Sequence, residues 1–254
     1  MKLKDKVSII TGAASGIGLA CAKLFSQEGS PVIMADIDYD KCAAEAKKLN
    51  ALAIHCDVRS MDDVKKLVDQ TINEYKRIDV LINNVAVAIS ANITDMAESD
   101  WDLVLDTNLT SAYRSIKQVL PHMLAQQSGS IINMASTQAH RSWHDWTAYA
   151  AAKGGLISMT MQLAGQFGPH NIRFNSISPG TIATPMLEKR IAEEGNELQH
   201  RSAMMHAMER LGKPEEVAAV ALLLASDDGA FINGTDIKVD GGLCTLPRYN
   251  EFNP

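Results

Sequence analysis

Short apolar runs alternate with amphipathic stretches along almost the whole chain. Aliphatic and β-branched residues cluster at 7–11, 31–35, 52–56, 80–83, 130–135, 172–177 and 236–239. Runs this short, bounded by polar or glycine positions, predict buried strands. Between them, residues 17–28, 39–49, 61–75, 98–108, 109–126, 149–167 and 214–226 space their apolar positions at the helical period, which predicts helices. Gly29 stops the first helix, Pro214 opens the last at its first position, and Pro121 predicts a break near the middle of 109–126. Strands separated by helices of this length predict parallel βαβ units. Residues 181–211 depart from the rhythm as a long excursion before the last helix. With no repeat, low-complexity segment or linker, one domain over 1–254 is expected.

Composition narrows the function classes. Of the 254 residues, 46% are hydrophobic and 21% charged, as in an ordinary soluble globular protein. A formal net charge of −6 with no basic run argues against nucleic acid or an acidic membrane surface as partner. No apolar stretch approaches the ~20 residues that span a bilayer. The N-terminus runs into the first strand without a secretory apolar region. Cys21, Cys42, Cys56 and Cys244 are scattered, with no Cys-x-x-Cys pair. Free thiols, a cytoplasmic location and a small-molecule substrate are expected.

The first strand breaks at Gly12 into Thr11-Gly12-Ala13-Ala14-Ser15-Gly16-Ile17-Gly18, and a helix follows. Strand, glycine-rich turn and helix put backbone N–H groups and the positive end of a helix dipole where a pyrophosphate can sit. The Gly-x-x-x-Gly-x-Gly spacing is one residue longer than the Gly-x-Gly-x-x-Gly fingerprint, and a plain glycine turn is the alternative. The second strand ends in Asp36, 18 residues after Gly18. An acid about 20 residues on suits an adenine-ribose 2′-hydroxyl and repels a 2′-phosphate. Neither Ser15 nor Ile37 supplies a cation to neutralise that phosphate, so NAD is expected over NADP; a bland strand-end carboxylate is the alternative. Asp57 and Asn83-Asn84 follow the third and end the fourth strand, at the same carboxyl edge of the sheet.

Tyr149 and Lys153 stand four residues apart in an Ala-rich helical run, so they share a helix face. A cation beside a phenol favours phenolate and moves the Tyr pKa from ~10 towards neutrality. Such a Tyr is a general acid or base. Alone the pair is a common coincidence on solvated helices.

Taken in order, Thr11-Gly12-x-x-x-Gly16-x-Gly18, Asn83-Asn84, Asn108, Ser136, Tyr149-x-x-x-Lys153 and Pro179-Gly180 closely resemble the short-chain dehydrogenase/reductase family over essentially the whole length. The resemblance implies a doubly wound α/β Rossmann fold of seven parallel strands with helices on both faces. It implies catalytic roles for Asn108, Ser136, Tyr149 and Lys153. Cofactor contacts are implied at Gly12, Ser15, Ile17, Gly18, Asp36, Asp57, Val58, Asn84, Tyr149, Lys153, Pro179, Gly180, Ile182 and Thr184. In that scheme Ser136 bonds the reacting oxygen, Lys153 holds the nicotinamide ribose, Thr184 holds the carboxamide, and Asn108 anchors a water that leads the proton to solvent. The family's usual Asn-Asn-Ala-Gly reads Asn83-Asn84-Val85-Ala86 here, which adds a Cβ where the chain passes the cofactor.

Between Ser136 and Tyr149 lie Gln138, His140, Arg141, Trp143, His144, Asp145 and Trp146. So many polar groups predict a polar substrate, either a sugar or cyclitol or an acid whose carboxylate meets Arg141. Gln138, Arg141, His144, Trp146 and Met186 are the candidate substrate contacts, and solvent or a neighbouring subunit is the alternative destination for several of them. His140 and His144 lack a third ligand, so no metal is expected. By resemblance 181–211, rich in Met, is a mobile substrate lid, with subunit-interface core as the equal alternative for its Met residues. His200 and His206 are expected on its solvated face, with substrate contact as the alternative. A homotetramer (or homodimer) is implied, with the tail bearing Tyr249 and Phe252 docked at an interface and a frayed terminus as the alternative. The expected reaction is NAD-linked interconversion of a secondary alcohol and a ketone. A 3-oxoacyl or 3-hydroxyacyl thioester enzyme is the alternative, and a dinucleotide-binding regulator without turnover a more remote one.

Overall fold

The computed structural model describes residues 1–245. Its strands are β1 (Ser8–Thr11), β2 (Val32–Asp36), β3 (Leu52–His55), β4 (Val80–Asn83), β5 (Gly129–Met134), β6 (Ile172–Pro179) and β7 (Asp236–Val239). All pair in parallel, in the order β3-β2-β1-β4-β5-β6-β7. Adjacent strand residues point to opposite faces, and both faces are apolar. Ile9, Ile33, Leu81 and Ile131 join one core cluster, while their neighbours Ile10, Met34, Ile82 and Ile132 join the other. Helices α1 (Gly16–Gln27) and α2 (Tyr39–Leu49) contribute to the Ile10 side. Helix α3 (Met61–Tyr75) lies on the Ile9 side. The strand order reverses between β1 and β4, and a crevice opens there outside the carboxyl ends of the strands.

Three sequence expectations change. Residues 98–126 are not two helices but one rod: α4 (Glu98–Leu105), a π-helical segment (Asp106–Thr110), then α5 (Ser111–Gln126). The rod does not break at Pro121. Pro121 removes the bond to the Lys117 carbonyl, but both residues are exposed, so water can replace it. Strand β6 continues past 177 because Ser178 and Pro179 still pair with Lys238 and Val239.

Helix α6 (Thr147–Phe167) follows β5 and carries Tyr149 and Lys153. The excursion holds α7 (Pro185–Glu194) and α8 (Asn196–Met204). Its ends are fastened together at the base, Ala183 N–H to Gly212 O at 2.9 Å and Gly212 N–H to Thr181 O at 3.0 Å. Helix α9 (Pro214–Ala225) packs back on α1, completing the Ile10 face, while α5 and α6 complete the Ile9 face. Among the described residues no helix is long and apolar enough to cross a membrane. The tail residues Tyr249 and Phe252, expected to dock, lie outside the described residues.

Candidate active site

A cleft of about 1180 Å³ runs along the carboxyl edge of the sheet and under the excursion. Gly12, Ser15 and Ile17 line one end of it. Gly12 has φ +65°, a left-handed conformation that disfavours a side chain. Gly18 does not line the cleft. A Cβ there would fall 2.1 Å from the Gly12 carbonyl oxygen, so Gly18 lets α1 close on the turn. Asn84 braces the turn from β4, its Nδ2 donating to Thr11 O and Gly12 O, both at 3.1 Å. Ser15 caps α1 with no side-chain bond, and the first turn contains no acid. A cradle without side chains, beneath an uncapped helix N-terminus, fits a dinucleotide pyrophosphate.

Asp36 lines the same end, fixed by the Ala14 N–H (2.9 Å) and the Asp38 N–H (3.0 Å). Asp57 and Val58 line it too, but the Asp57 carboxylate grips Arg59, Nε to Oδ1 at 3.0 Å and Nη2 to Oδ2 at 2.7 Å. That hydrogen bonding holds the Asp57 carboxyl below the usual range. Pro179, Gly180, Ile182 and Thr184 line the cleft from the loop after β6. Ala86 does not adopt a left-handed conformation, so it stands in place of glycine without backbone strain there.

Helix α6 is set on the sheet by a buried polar ladder. Asn83 Nδ2 donates to Asn133 Oδ1 at 2.8 Å, Asn133 Nδ2 to Thr160 Oγ1 at 2.9 Å, and Thr160 Oγ1 to Leu156 O at 2.7 Å. This fixes the face that carries Tyr149 and Lys153. Ser136 stands beside the phenol, Trp146 packs edge-on against its ring at 5.8 Å, and Lys153 Nζ stands 5.6 Å from the ring centroid. Lys153 is 2% exposed and donates to Met134 O at 2.6 Å.

With these neighbours the expected lowering of the Tyr149 pKa does not appear. Burial pushes the phenol up to about 12, with the Ser136 hydroxyl pulling the other way. Burial pushes the Lys153 ammonium down to about 7. Desolvation disfavours both charged forms and outweighs their proximity.

Asn108 does not line the cleft. Its side chain is used on the neighbouring backbone, Oδ1 accepting from Val87 N–H (2.7 Å) and Nδ2 donating to Val87 O (2.8 Å). The side chain implied to anchor a water is thus engaged by Val87, and the Asn108 backbone lies in the π segment. Single π turns are rare and recur at functional sites. Leu109 of the same segment packs where a Cβ on Gly155 would come within 2.8 Å, bringing the π turn close against α6.

The segment after Ser136 divides. Gln138, His144 and Trp146 line the cleft, as do Trp143, Asp145 and, from α7, Met186. Arg141 does not: it reaches back to donate to the Leu243 carbonyl, so the substrate carboxylate expected to meet it would find no charge from Arg141. His140 also turns away, its Nε2 2.8 Å from Asp236 Oδ2. Sequence spacing had no access to these turns, because tertiary partners on β7 and beyond it set them. His206, expected on a solvated face, is buried. Its Nδ1 faces Ser202 O at 2.8 Å and so carries the proton, leaving Nε2 to accept the Thr181 N–H at 3.0 Å. The imidazole thereby ties the end of α8 to the loop after β6. Arg190 and Arg201, which nothing in the sequence singled out, also line the cleft.

Known proteins agree with this architecture. The profile of the family described as enoyl-(acyl carrier protein) reductase matches residues 12–244. The chain is 40% identical to the 3-oxoacyl-(acyl-carrier-protein) reductase FabG of Thermotoga maritima, over 96% of this chain and 99% of that one. It is 36% identical to an NAD-dependent glycerol dehydrogenase of Listeria innocua, over 94% of each. The crystal structure of a levodione reductase superposes with a TM-score of 0.93 at 29% identity, over 96% of this chain and all of that one (100%).

Proposed function

The chain belongs to the short-chain dehydrogenase/reductase family, and on that premise we propose that it interconverts a polar secondary alcohol and its ketone using NAD(H). A sugar, a cyclitol or a hydroxy acid is the substrate type. One observation carries the reading: Tyr149, Ser136 and Lys153 meet beside a cleft whose far end holds the Gly12 turn and the Asp36 carboxylate.

A bound nicotinamide would supply the hydride chemistry, acceptance from the carbinol carbon in oxidation and donation to the carbonyl carbon in reduction. The chain's own groups manage orientation and the proton. In oxidation the Tyr149 oxygen accepts the hydroxyl proton as the carbonyl forms; in reduction the same phenol donates it. Ser136 donates a hydrogen bond to the reacting oxygen, where charge develops. Lys153 carries the proton onward from Tyr149, and the Asn108 backbone holds the water that takes it to solvent. Gly12, Ser15 and Ile17 would hold the pyrophosphate, and Thr184 the carboxamide.

Asp36 supports NAD over NADP. Two backbone N–H groups orient its carboxylate, and a carboxylate retains further lone pairs for a ribose diol. Arg59, the cation at that end, is held bidentately by Asp57. Asp36→Ala combined with Ile37→Arg is therefore expected to raise the NADP:NAD ratio of kcat/KM by about tenfold or more, the scale of one charge-assisted hydrogen bond. A parent protein that already prefers NADP would sink the argument.

The second reading, reduction of a 3-oxoacyl thioester, is favoured by the 40% identity to the Thermotoga reductase. Against it stand Gln138, Trp143, His144 and Asp145 along the substrate end of the cleft, polar groups that an acyl chain does not need. The discriminating experiment is NAD(H)-linked turnover across sugars, cyclitols, hydroxy acids, simple secondary alcohols and 3-hydroxyacyl or 3-oxoacyl thioesters. Polar alcohols are expected to lead; thioesters ahead of them would give the second reading.

A further inference from the structure

We infer that His206 is a positioning residue whose two ring nitrogens couple α8, a wall of the cleft, to the loop that would hold the nicotinamide, so that dinucleotide binding at the loop sets α8. This rests on the dehydrogenase reading above. His206 is 2% exposed and does not line the cleft; it lines a smaller cavity of about 340 Å³ beside it. Its effect on a ligand must therefore pass through the groups it holds.

Both of those groups belong to stretches that do line the cleft. On one side Nδ1–H donates to Ser202 O at 2.8 Å, one of the last-turn carbonyls that a helix leaves without an intrahelical partner. Ser202 lines the cleft with Leu198 and Arg201 of the same helix. On the other side Nε2 accepts the Thr181 N–H at 3.0 Å. Gly180, Thr181, Ile182 and Thr184 line the cleft from that loop. Thr184 stands at the N-cap of α7 without using its hydroxyl for a capping bond, which suits it to a carboxamide.

Thr181 is where the excursion converges. Its carbonyl accepts the Gly212 N–H at 3.0 Å, so one residue is bonded to the far end of the excursion and, through the imidazole, to α8. Close packing keeps the ring on this line. A Cβ on Gly180 would fall 2.7 Å from Nε2, and the Met208 N–H, two residues beyond His206, donates to Gly241 O at 3.0 Å. An imidazole with its proton on Nδ1 offers one donor and one acceptor, and both are used here. An apolar side chain of equal volume would strip these partners from the Thr181 N–H and the Ser202 carbonyl, and unpaired buried groups are costly. A loop that tightens around a bound dinucleotide therefore acts on α8 through one bonded side chain, which gives the two sites a coupling.

The test reads trypsin cleavage after Arg201, an exposed residue of α8, with and without saturating NADH. In the wild-type protein NADH is expected to slow this cleavage by about 10-fold, an ordinary coupling between two sites. His206→Asn places an amide nitrogen near the position of Nδ1 and nothing at Nε2, so it keeps the Ser202 bond and drops the Thr181 bond. NADH should still bind this variant in a fluorescence titration yet slow cleavage by less than about twofold. His206→Gln reaches the position of Nε2 with an acceptor and should restore most of the protection. A side chain that only fills space would leave Asn and Gln alike, or would raise cleavage equally with and without NADH; either result overturns the inference. If His206→Asn does not accumulate as folded protein, amide hydrogen exchange of the wild type decides. Exchange slowed by NADH at both 181–184 and 198–205 supports the coupling, and slowing confined to 181–184 overturns it. A wild-type protein that binds NADH without protecting Arg201 overturns it too and leaves the dehydrogenase reading standing, whereas one that does not bind NADH sinks both.

Discussion

Tyr149→Phe is expected to reduce turnover by about 10³-fold or more while leaving dinucleotide binding nearly intact. The substitution removes one oxygen and keeps the ring that packs edge-on against Trp146 at 5.8 Å, so the local fold has little reason to change. The oxygen it removes is the one beside Ser136 at the cleft. Positioned proton transfer contributes about 10²- to 10⁴-fold, and here the group that transfers the proton is lost outright. The Gly12 turn, Asp36 and Thr184 are untouched, so a fluorescence titration with NADH should give an affinity within a few-fold of the parent. Near-normal turnover with intact binding would remove Tyr149 from the mechanism. Loss of binding along with turnover would mean that the phenol holds the cofactor more than it moves a proton.

The sequence carried the parts of the site that lie along single elements. Tyr149 and Lys153 share a face because α6 is a regular helix, and Asp36 faces the cleft because it ends β2 at the carboxyl edge. Gly12 and Gly18 were legible as a turn, though only packing separates their tasks: one lines the cleft and the other admits α1. What stayed hidden depends on partners distant in sequence. The π turn at Asn108 accompanies the two bonds its side chain makes to Val87, 21 residues earlier. Arg141 was the natural anion reader by position, but its pull from the Leu243 carbonyl reverses its direction. Arg190 and Arg201 have no local signature at all, since on an amphipathic lid helix a cation reads as solvated until the face it occupies is known. The electrostatic expectation for Tyr149 failed for a related reason. Spacing shows that a cation is near, and only burial shows what that cation's own charge costs.

Lys153→Met is expected to lower alcohol oxidation near neutral pH by about 100-fold or more and to move its alkaline rise to higher pH. Oxidation needs the phenol oxygen unprotonated, so it gains with rising pH; reduction needs the phenol and loses as pH rises. The apparent pKa values belong to the Tyr149–Lys153 pair rather than to either group. Burial holds the phenol up at about 12 and the ammonium down at about 7, so any positive charge on Lys153 works against desolvation to favour phenolate. Methionine keeps the buried volume and removes that charge, leaving the phenol protonated to still higher pH. Stability gives a separate reading of the same group. The unfolded lysine titrates near 10.5 and the folded one near 7, so between those values the unfolded chain binds more protons. The lysine's penalty is therefore fully present below pH 7 and is relieved as pH rises towards 10.5. Loss of the 2.6 Å bond to Met134 O adds a cost to the variant that does not vary with pH. Denaturant unfolding at pH 6 and pH 9 should thus show the wild type gaining on Lys153→Met at the higher pH. A gap that stays constant would mean that Lys153 keeps its charge while buried, and the phenol's proton relay would then start from a fixed ammonium rather than from a titrating one.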